Sequence, residues 1–211
     1  MPFIQESKQL IHSMVHFIHY DDFEPSVYFD LLTPEEQERF FSFSSEHRKR
    51  EFVATRYLRH QLFGFSHIHY DPQGAPFIKD EGYISISHTE GIVGIAFNKD
   101  FRIGLDIEMK SEKAQRVRNK FLSEEELILF DNTDRDLITT AWSAKETLYK
   151  IAGRNKIDFK TELHLQPIKD AVFKGSISTK GIRSSTEIHT FVEDSYVYTI
   201  NESALSIDDT V

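Results

Sequence analysis

The chain has 211 residues, enough for one large domain or two small ones. Its formal net charge of −9 argues against broad electrostatic affinity for nucleic acid or anionic membranes. With no cysteine it holds neither a disulfide nor a thiolate metal site, and no long uncharged apolar run could span a bilayer.

The opening MPFIQESKQLIHSMVHFIHY lacks a basic segment, a continuous apolar stretch and a small-residue cleavage site. No signal peptide is expected, and the predicted compartment is the cytoplasm. Thr33-Pro34-Glu35-Glu36 offers a cap, a proline at the first helical position and a glutamate three residues after the cap, so a helix is predicted to begin there. A longer basic helix follows from about Ser45 to Phe63, with Gly64 placed to end it. Then the period changes to two. Tyr83 to Ser87, Ile92 to Phe97 and Arg102 to Glu108 read as strands, predicted to be antiparallel neighbours. Ser123 with Glu126 forms a second capping box, Asp134 or Asp136 opens the helix carrying Trp142, and Phe159 to Ile200 reads as strands again. The closing SALSIDDTV looks frayed, and 203–211 is expected to be a disordered tail. Helix then strand, twice over, predicts an α+β fold of two similar halves meeting near residue 100. The halves are 1–100 and 101–202, each with an antiparallel sheet and packed helices.

Several residues could carry chemistry. On a helical wheel Ala141, Ala144, Leu148, Ile151 and Ala152 form a core-facing stripe, while Lys145, Glu146, Tyr149 and Lys150 cluster with Trp142 on the other side. That second face reads equally as a solvated surface with a Glu146 to Lys150 pair. On the third strand Ile103, Leu105 and Ile107 share one face and leave Gly104, Asp106 and Glu108 on the other. Two carboxylates there could reach one hard divalent cation, with Gly104 leaving room beside them, although a half-exposed strand often carries acidic residues. Ser87 and His88 end a strand and could hold a phosphate, or serve only the strand end. His47, Arg48, Lys49 and Arg50 gather positive charge near a helix start, where anions are favoured, or form a solvated helix end. Together the set fits phosphoryl transfer.

In the order SISH (85–88), GLDIE (104–108) and WSAKETLYK (142–150), the chain resembles the 4′-phosphopantetheinyl transferases, particularly the surfactin-synthetase-activating type. The similarity runs from about Arg48 to Lys150. The resemblance implies a monomeric pseudo-dimer with coenzyme A in the cleft between the halves. It implies Asp106, Glu108 and Glu146 as Mg²⁺ ligands, with Glu146 also taking the proton from a carrier-protein serine and Lys150 neutralising the phosphoryl group. Ser87 and His88 would contact the nucleotide phosphates, His88 near the 3′-phosphate. Lys145 would line the pyrophosphate, and Trp142 would wall the cleft. Where many relatives carry Gly-Lys-Pro, this chain has Gly74-Ala75-Pro76, so one cationic contact is missing, and Arg48, Arg50 or Arg56 is expected to replace it.

The implied activity is Mg²⁺-dependent transfer of phosphopantetheine from coenzyme A to a serine of an apo acyl or peptidyl carrier protein, with neither nucleic acid nor membrane as partner. A non-catalytic coenzyme A or carrier-binding homologue and a metal-dependent nuclease are the rival readings. Lys110 to Lys120, with five basic residues and one acidic, is the predicted carrier-docking patch, with Phe121 and Leu122 beside it.

Overall fold

The computed structural model describes residues 5–20, 24–131, 133–153 and 156–208. The first half consists of β1 (Gln5–Gln9), β2 (Met14–His19), a 3-10 segment (Pro25–Leu31), α1 (Pro34–Ser42), α2 (Glu46–Phe63), β3 (Ile68–Tyr70), β4 (Pro76–Ile78), β5 (Gly82–Thr89) and β6 (Ile92–Asn98). The second consists of β7 (Leu105–Met109), α3 (Glu112–Val117), a 3-10 turn (Arg118–Lys120), α4 (Glu124–Leu129), α5 (Arg135–Ile151), β8 (Leu163–Lys169), β9 (Val172–Thr179), β10 (Ile182–Val192), β11 (Tyr196–Asn201) and β12 (Ser206–Ile207).

The helix starts follow local chemistry. Thr33 and Ser123 each close a full capping box, with Glu36 and Glu126 returning a bond to the cap backbone. Ser45 and Asp134 cap α2 and α5, and Gly64 ends α2 at a φ of 58° that a side chain rarely adopts.

The two halves share one topology. The first sheet runs β1-β2-β6-β5-β4-β3 and the second β7-β11-β10-β9-β8, with β12 added on β10. Without β1 and β12, β2 corresponds to β7 and β6 to β11, and in each half the helices lie between the first strand and the remaining four. The fold is α+β with two similar halves. The strand ends repeat as well. Asn98 at the end of β6 donates to His12 O at 2.7 Å, and Asn201 at the end of β11 donates to Arg102 O at 3.1 Å, so each pins the segment that enters the half's equivalent first strand.

Three apolar layers hold this together. Phe52, Val53 and Leu58 of α2 pack on Ile18, Ile84 and Ile95 of the first sheet, and Ala141, Ala144, Leu148 and Ile151 of α5 pack on Leu163 and Ile188 of the second. Between the sheets Val15, Phe17 and Ile92 meet Leu105, Ile107, Tyr198 and Ile200. Each Val, Leu, Ile or Phe among these stabilises by roughly 1.5–3 kcal/mol when fully buried. The seam is also stitched by hydroxyls: Ser85 Oγ accepts Leu105 N–H at 2.9 Å and Ser87 Oγ accepts Ile107 N–H at 3.1 Å. The two serines of SISH therefore join β5 of one half to β7 of the other.

The expected disordered tail is corrected over 203–208. Ser206 and Ile207 pair with Ser185 and Ser184 of β10, and Asp208 accepts from the Ser185 hydroxyl and ion-pairs with Lys174 at 3.3 Å. These backbone and charge partners lie far back in sequence, so composition alone does not reveal them. The rest of that tail, 209–211, lies outside the described residues.

Candidate active site

The site forms where α5 crosses β7 at the seam. Leu105 and Ile107 turn into the layer between the sheets. Strand alternation then aims Asp106 and Glu108 at α5. A ladder of hydroxyls fixes the helix on the strands: Ser143 Oγ donates to Asp106 O at 3.3 Å, and Thr147 Oγ1 donates to Thr199 O at 3.1 Å. Gly104 makes the crossing possible. A Cβ there would lie 2.6 Å from Thr147 O and 2.9 Å from Ile151 Cγ2, so the room it leaves is filled by α5 itself rather than by a ligand.

Asp106 is 6 % exposed. Its Oδ1 accepts Lys150 Nζ–H at 3.0 Å and the Ser87 hydroxyl at 3.2 Å, while its Oδ2 is buried with no hydrogen-bond partner. Lys150 also donates to Leu105 O at 2.6 Å. Glu108 Oε1 accepts the indole N–H of Trp142 at 2.7 Å. Burial pushes Glu146 up to about 7, the negative charges of Asp106 and Glu108 add to the rise, and Lys150 opposes it. Burial, then Asp106, raises Glu108 as well. Among the described residues no three His, Cys, Asp or Glu side chains stand in a metal-ligating cluster, and Lys150 and Trp142 each hold one oxygen, of Asp106 and of Glu108. The donor set is nonetheless of the oxygen type that hard divalent cations take. Oδ2 of Asp106 lacks a partner, and three mutually repelling carboxylates offer the hard oxygens that Mg²⁺ requires.

Beside the carboxylates a cavity of about 1180 Å³ opens between α2, the β3–β5 face and the end of α5. Lys150, Arg48, Arg56, His88, Lys99 and Arg102 bring nitrogen donors to its wall, and Phe52, Tyr70, Phe77 and Tyr149 bring rings. Arg56 is held by Glu36 at 3.0 Å and stacks 4.0 Å from the Phe52 ring centre. His88 Nδ1 lies 3.2 Å from Glu51 Oε2. Partial burial lowers His88, Arg48 and Lys150 push the same way, and Glu51 and Asp106 oppose them. Ala75 is in the wall, and near it Asp71 shapes the loop by accepting the Gln73 and Ala75 N–H groups at 2.9 Å while pairing with Arg102.

Four sequence expectations are corrected here. Ser87 does not line the cavity: it is buried, its hydroxyl donating to Asp106 Oδ1 at 3.2 Å and accepting Ile107 N–H at 3.1 Å. Lys145 does not face the cavity. Its ammonium is wholly buried, its three N–H groups shared among four oxygens: Glu126 Oε2 at 2.6 Å and the carbonyls of Phe121, Phe159 and Leu163 at 2.7, 2.9 and 2.8 Å. The capping-box glutamate of α4 supplies the counter-charge that lets a lysine turn inward. Arg50 is exposed on α2 and absent from the cavity wall, because the helix turns it away from Arg48 and Glu51. Trp142 is packed with Phe121 and Phe159 at centroid distances of 5.0 and 5.5 Å and does not line the cavity. Its role at the site is to orient Glu108. Arg102, Lys99 and Glu51 are cavity residues that sequence reasoning missed, since nothing local marks them before the loops meet.

The arrangement sets Asp106, Glu108 and Glu146 behind Lys150, which itself lines a cavity rich in cationic side chains. Residues 102–201 match the family model described as the 4′-phosphopantetheinyl transferase superfamily. The match covers β7 to β11 with α3, α4 and α5, and so supports that superfamily through the half that carries Asp106, Glu108, Glu146 and Lys150. No curated protein matches the chain. No helix among the described residues is long and apolar enough to cross a membrane.

Proposed function

We propose that the protein is a 4′-phosphopantetheinyl transferase of the surfactin-synthetase-activating type, moving phosphopantetheine from coenzyme A to a serine of an apo acyl or peptidyl carrier protein. The observation that carries this reading is Lys150. One ammonium group both lines the large cavity and bonds Asp106, so it links a nucleotide-sized space to the carboxylate of β7.

In this reading the serine oxygen forms a bond to the pantetheine-side phosphorus of coenzyme A, and the phosphorus–oxygen bond to 3′,5′-ADP breaks. Glu146, pushed up to about 7, accepts the serine proton near neutral pH. Lys150 neutralises charge on the transferred group. Asp106, Glu108 and Glu146 would hold Mg²⁺, which when bound supplies further charge neutralisation at the pyrophosphate. Arg48, Arg56, His88, Lys99 and Arg102 would bind the nucleotide end, with Ser87 fixing the seam under Asp106.

The carrier would dock on Lys110 to Lys120. The positive charge of Lys113 lowers the proton affinity of Glu108, which supports docking of the carrier on the side of α3. Phe121 and Leu122 belong to the core of the second half at 1 % and 0 % exposure, so any docking relies on the charges and not on these two.

Glu146→Gln tests the chemistry: the maximal rate is expected to fall by ~10²–10⁴, with coenzyme A binding retained in calorimetry. Asp106→Asn is expected to abolish Mg²⁺-dependent turnover, with the relief of repulsion with Glu146 and Glu108 offsetting part of the lost Lys150 ion pair in the melting temperature measured in chelator. Near-wild-type turnover in either variant would refute the assignment.

A further inference from the structure

Glu51 puts a carboxylate into a cavity wall where an anionic ligand is expected. Its side chain is 12 % exposed, and both oxygens are engaged: Oε1 accepts Arg48 Nη1–H at 2.8 Å, and Oε2 lies 3.2 Å from His88 Nδ1. The 3.2 Å approach is an ion-pair distance that holds the Nδ1 side of the ring toward the carboxylate. Only the imidazolium donates from both nitrogens. The charged groups facing the ring are Glu51 and Arg48 from α2, Lys150 from α5 and Asp106 from β7. Of these, Arg48 and Lys150 disfavour a charged ring and Glu51 favours it most.

We propose that Glu51 is a positioning residue that holds Arg48 and His88 as one anion-gripping pair, directing both at a phosphate of the cosubstrate without touching the ligand itself. The carboxylate thereby serves phosphate binding in place of opposing it. Arg48, with a side chain 54 % exposed, would otherwise be free to swing on the helix surface, and the pair costs little entropy once Glu51 fixes it. This rests on the coenzyme A reading of the cavity.

The test is a double-mutant cycle on the full chain, with coenzyme A affinity measured by calorimetry for wild type, Glu51→Gln, His88→Gln and the double variant. Each single change is expected to weaken binding ~10-fold, and the double variant by little more than either alone, because coupled residues are not additive. Repeating the titrations at mildly alkaline pH in two buffers of different ionisation enthalpy reads proton uptake. Wild type is expected to take up a proton fraction on binding, and Glu51→Gln to lose most of it, which a merely structural glutamate would not cause. Additive losses, unchanged proton uptake or wild-type affinity in Glu51→Gln would overturn the inference. Wild type that binds coenzyme A but modifies no carrier would remove the transferase reading and leave Glu51 in its role. Wild type that binds neither coenzyme A nor 3′,5′-ADP would overturn both.

Discussion

Lys145 lies in the middle of the WSAKE run, one residue from Glu146, and the structure predicts that it matters for stability and not for ligand binding. In Lys145→Met the side-chain volume is nearly kept, but the ammonium's contacts with four oxygens vanish and Glu126, 4 % exposed, loses its counter-charge. Breaking a buried pair from one side costs ~3–5 kcal/mol. Burial lowers Lys145 below the usual lysine range and Glu126 opposes that shift, so the ammonium depends on this partner to stay charged. Glu126 keeps the backbone N–H groups of Ser123 and Leu165, both at 2.8 Å, which puts the expected loss at the lower end. At ~2–4 °C per kcal/mol for a chain of this size, the melting temperature should fall by ~6–12 °C. Adding Glu126→Gln should recover at least half of that, since most of the penalty is an unpaired carboxylate. Thermal unfolding gives the stability, and calorimetry well below the transition gives coenzyme A affinity, which should match wild type. A variant with unchanged melting temperature and lost affinity would show that Lys145 faces the cavity, and would refute the packing described for α5.

Gly104→Ala should destabilise by ~1–3 kcal/mol, because its Cβ meets the Thr147 carbonyl at 2.6 Å, and turnover should fall further than stability as β7 shifts away from Glu146; retained activity with wild-type melting would contradict the crossing. Burial lowers the His16 pKa below that of the unfolded chain, so its neutral form stabilises the fold above pH ~6.5, and that stability is lost as pH falls through the folded value. His16→Gln should flatten this acid branch in urea unfolding at pH 5 to 7, and an unchanged slope would refute it. Arg102→Gln should weaken coenzyme A binding several-fold with little change in maximal rate, read by calorimetry beside kinetics, and equal affinity would remove Arg102 from the ligand wall. Arg116→Glu with Arg118→Glu should raise the Michaelis constant for the carrier and flatten its salt dependence, with coenzyme A affinity unchanged; a salt-independent, unaltered constant would mean that α3 is only surface.

Much of the fold is legible where local chemistry decides it. The capping boxes at Thr33 and Ser123 and the cap at Ser45 place three helices, and the alternation at 82–89 and 105–109 places the two strands that form the seam. β1 and β2 are not legible in the same way, because MVHFIH mixes histidines into both faces of a strand whose burial depends on partners found at 92–97 and 5–9. In the candidate site, strand alternation correctly puts Asp106 and Glu108 on one face. The helical wheel places Lys145 beside Glu146 and Lys150 but cannot say that Glu126, on another helix, draws its ammonium inward. Trp142 has the same cause: its ring follows Phe121 and Phe159, both remote in sequence, while its N–H reaches Glu108. Arg102 and Glu51 gain their meaning only when the loop at Asp71 and the ring of His88 come into range.

The most direct measurement is the mass of a panel of apo acyl and peptidyl carrier proteins after incubation with this protein, coenzyme A and Mg²⁺. At least one carrier should gain one phosphopantetheine at its serine, with 3′,5′-ADP released in equal amount and no gain with Glu146→Gln or in the presence of chelator. Unshifted masses across the panel, from protein shown by calorimetry to bind coenzyme A, would contradict the transferase reading.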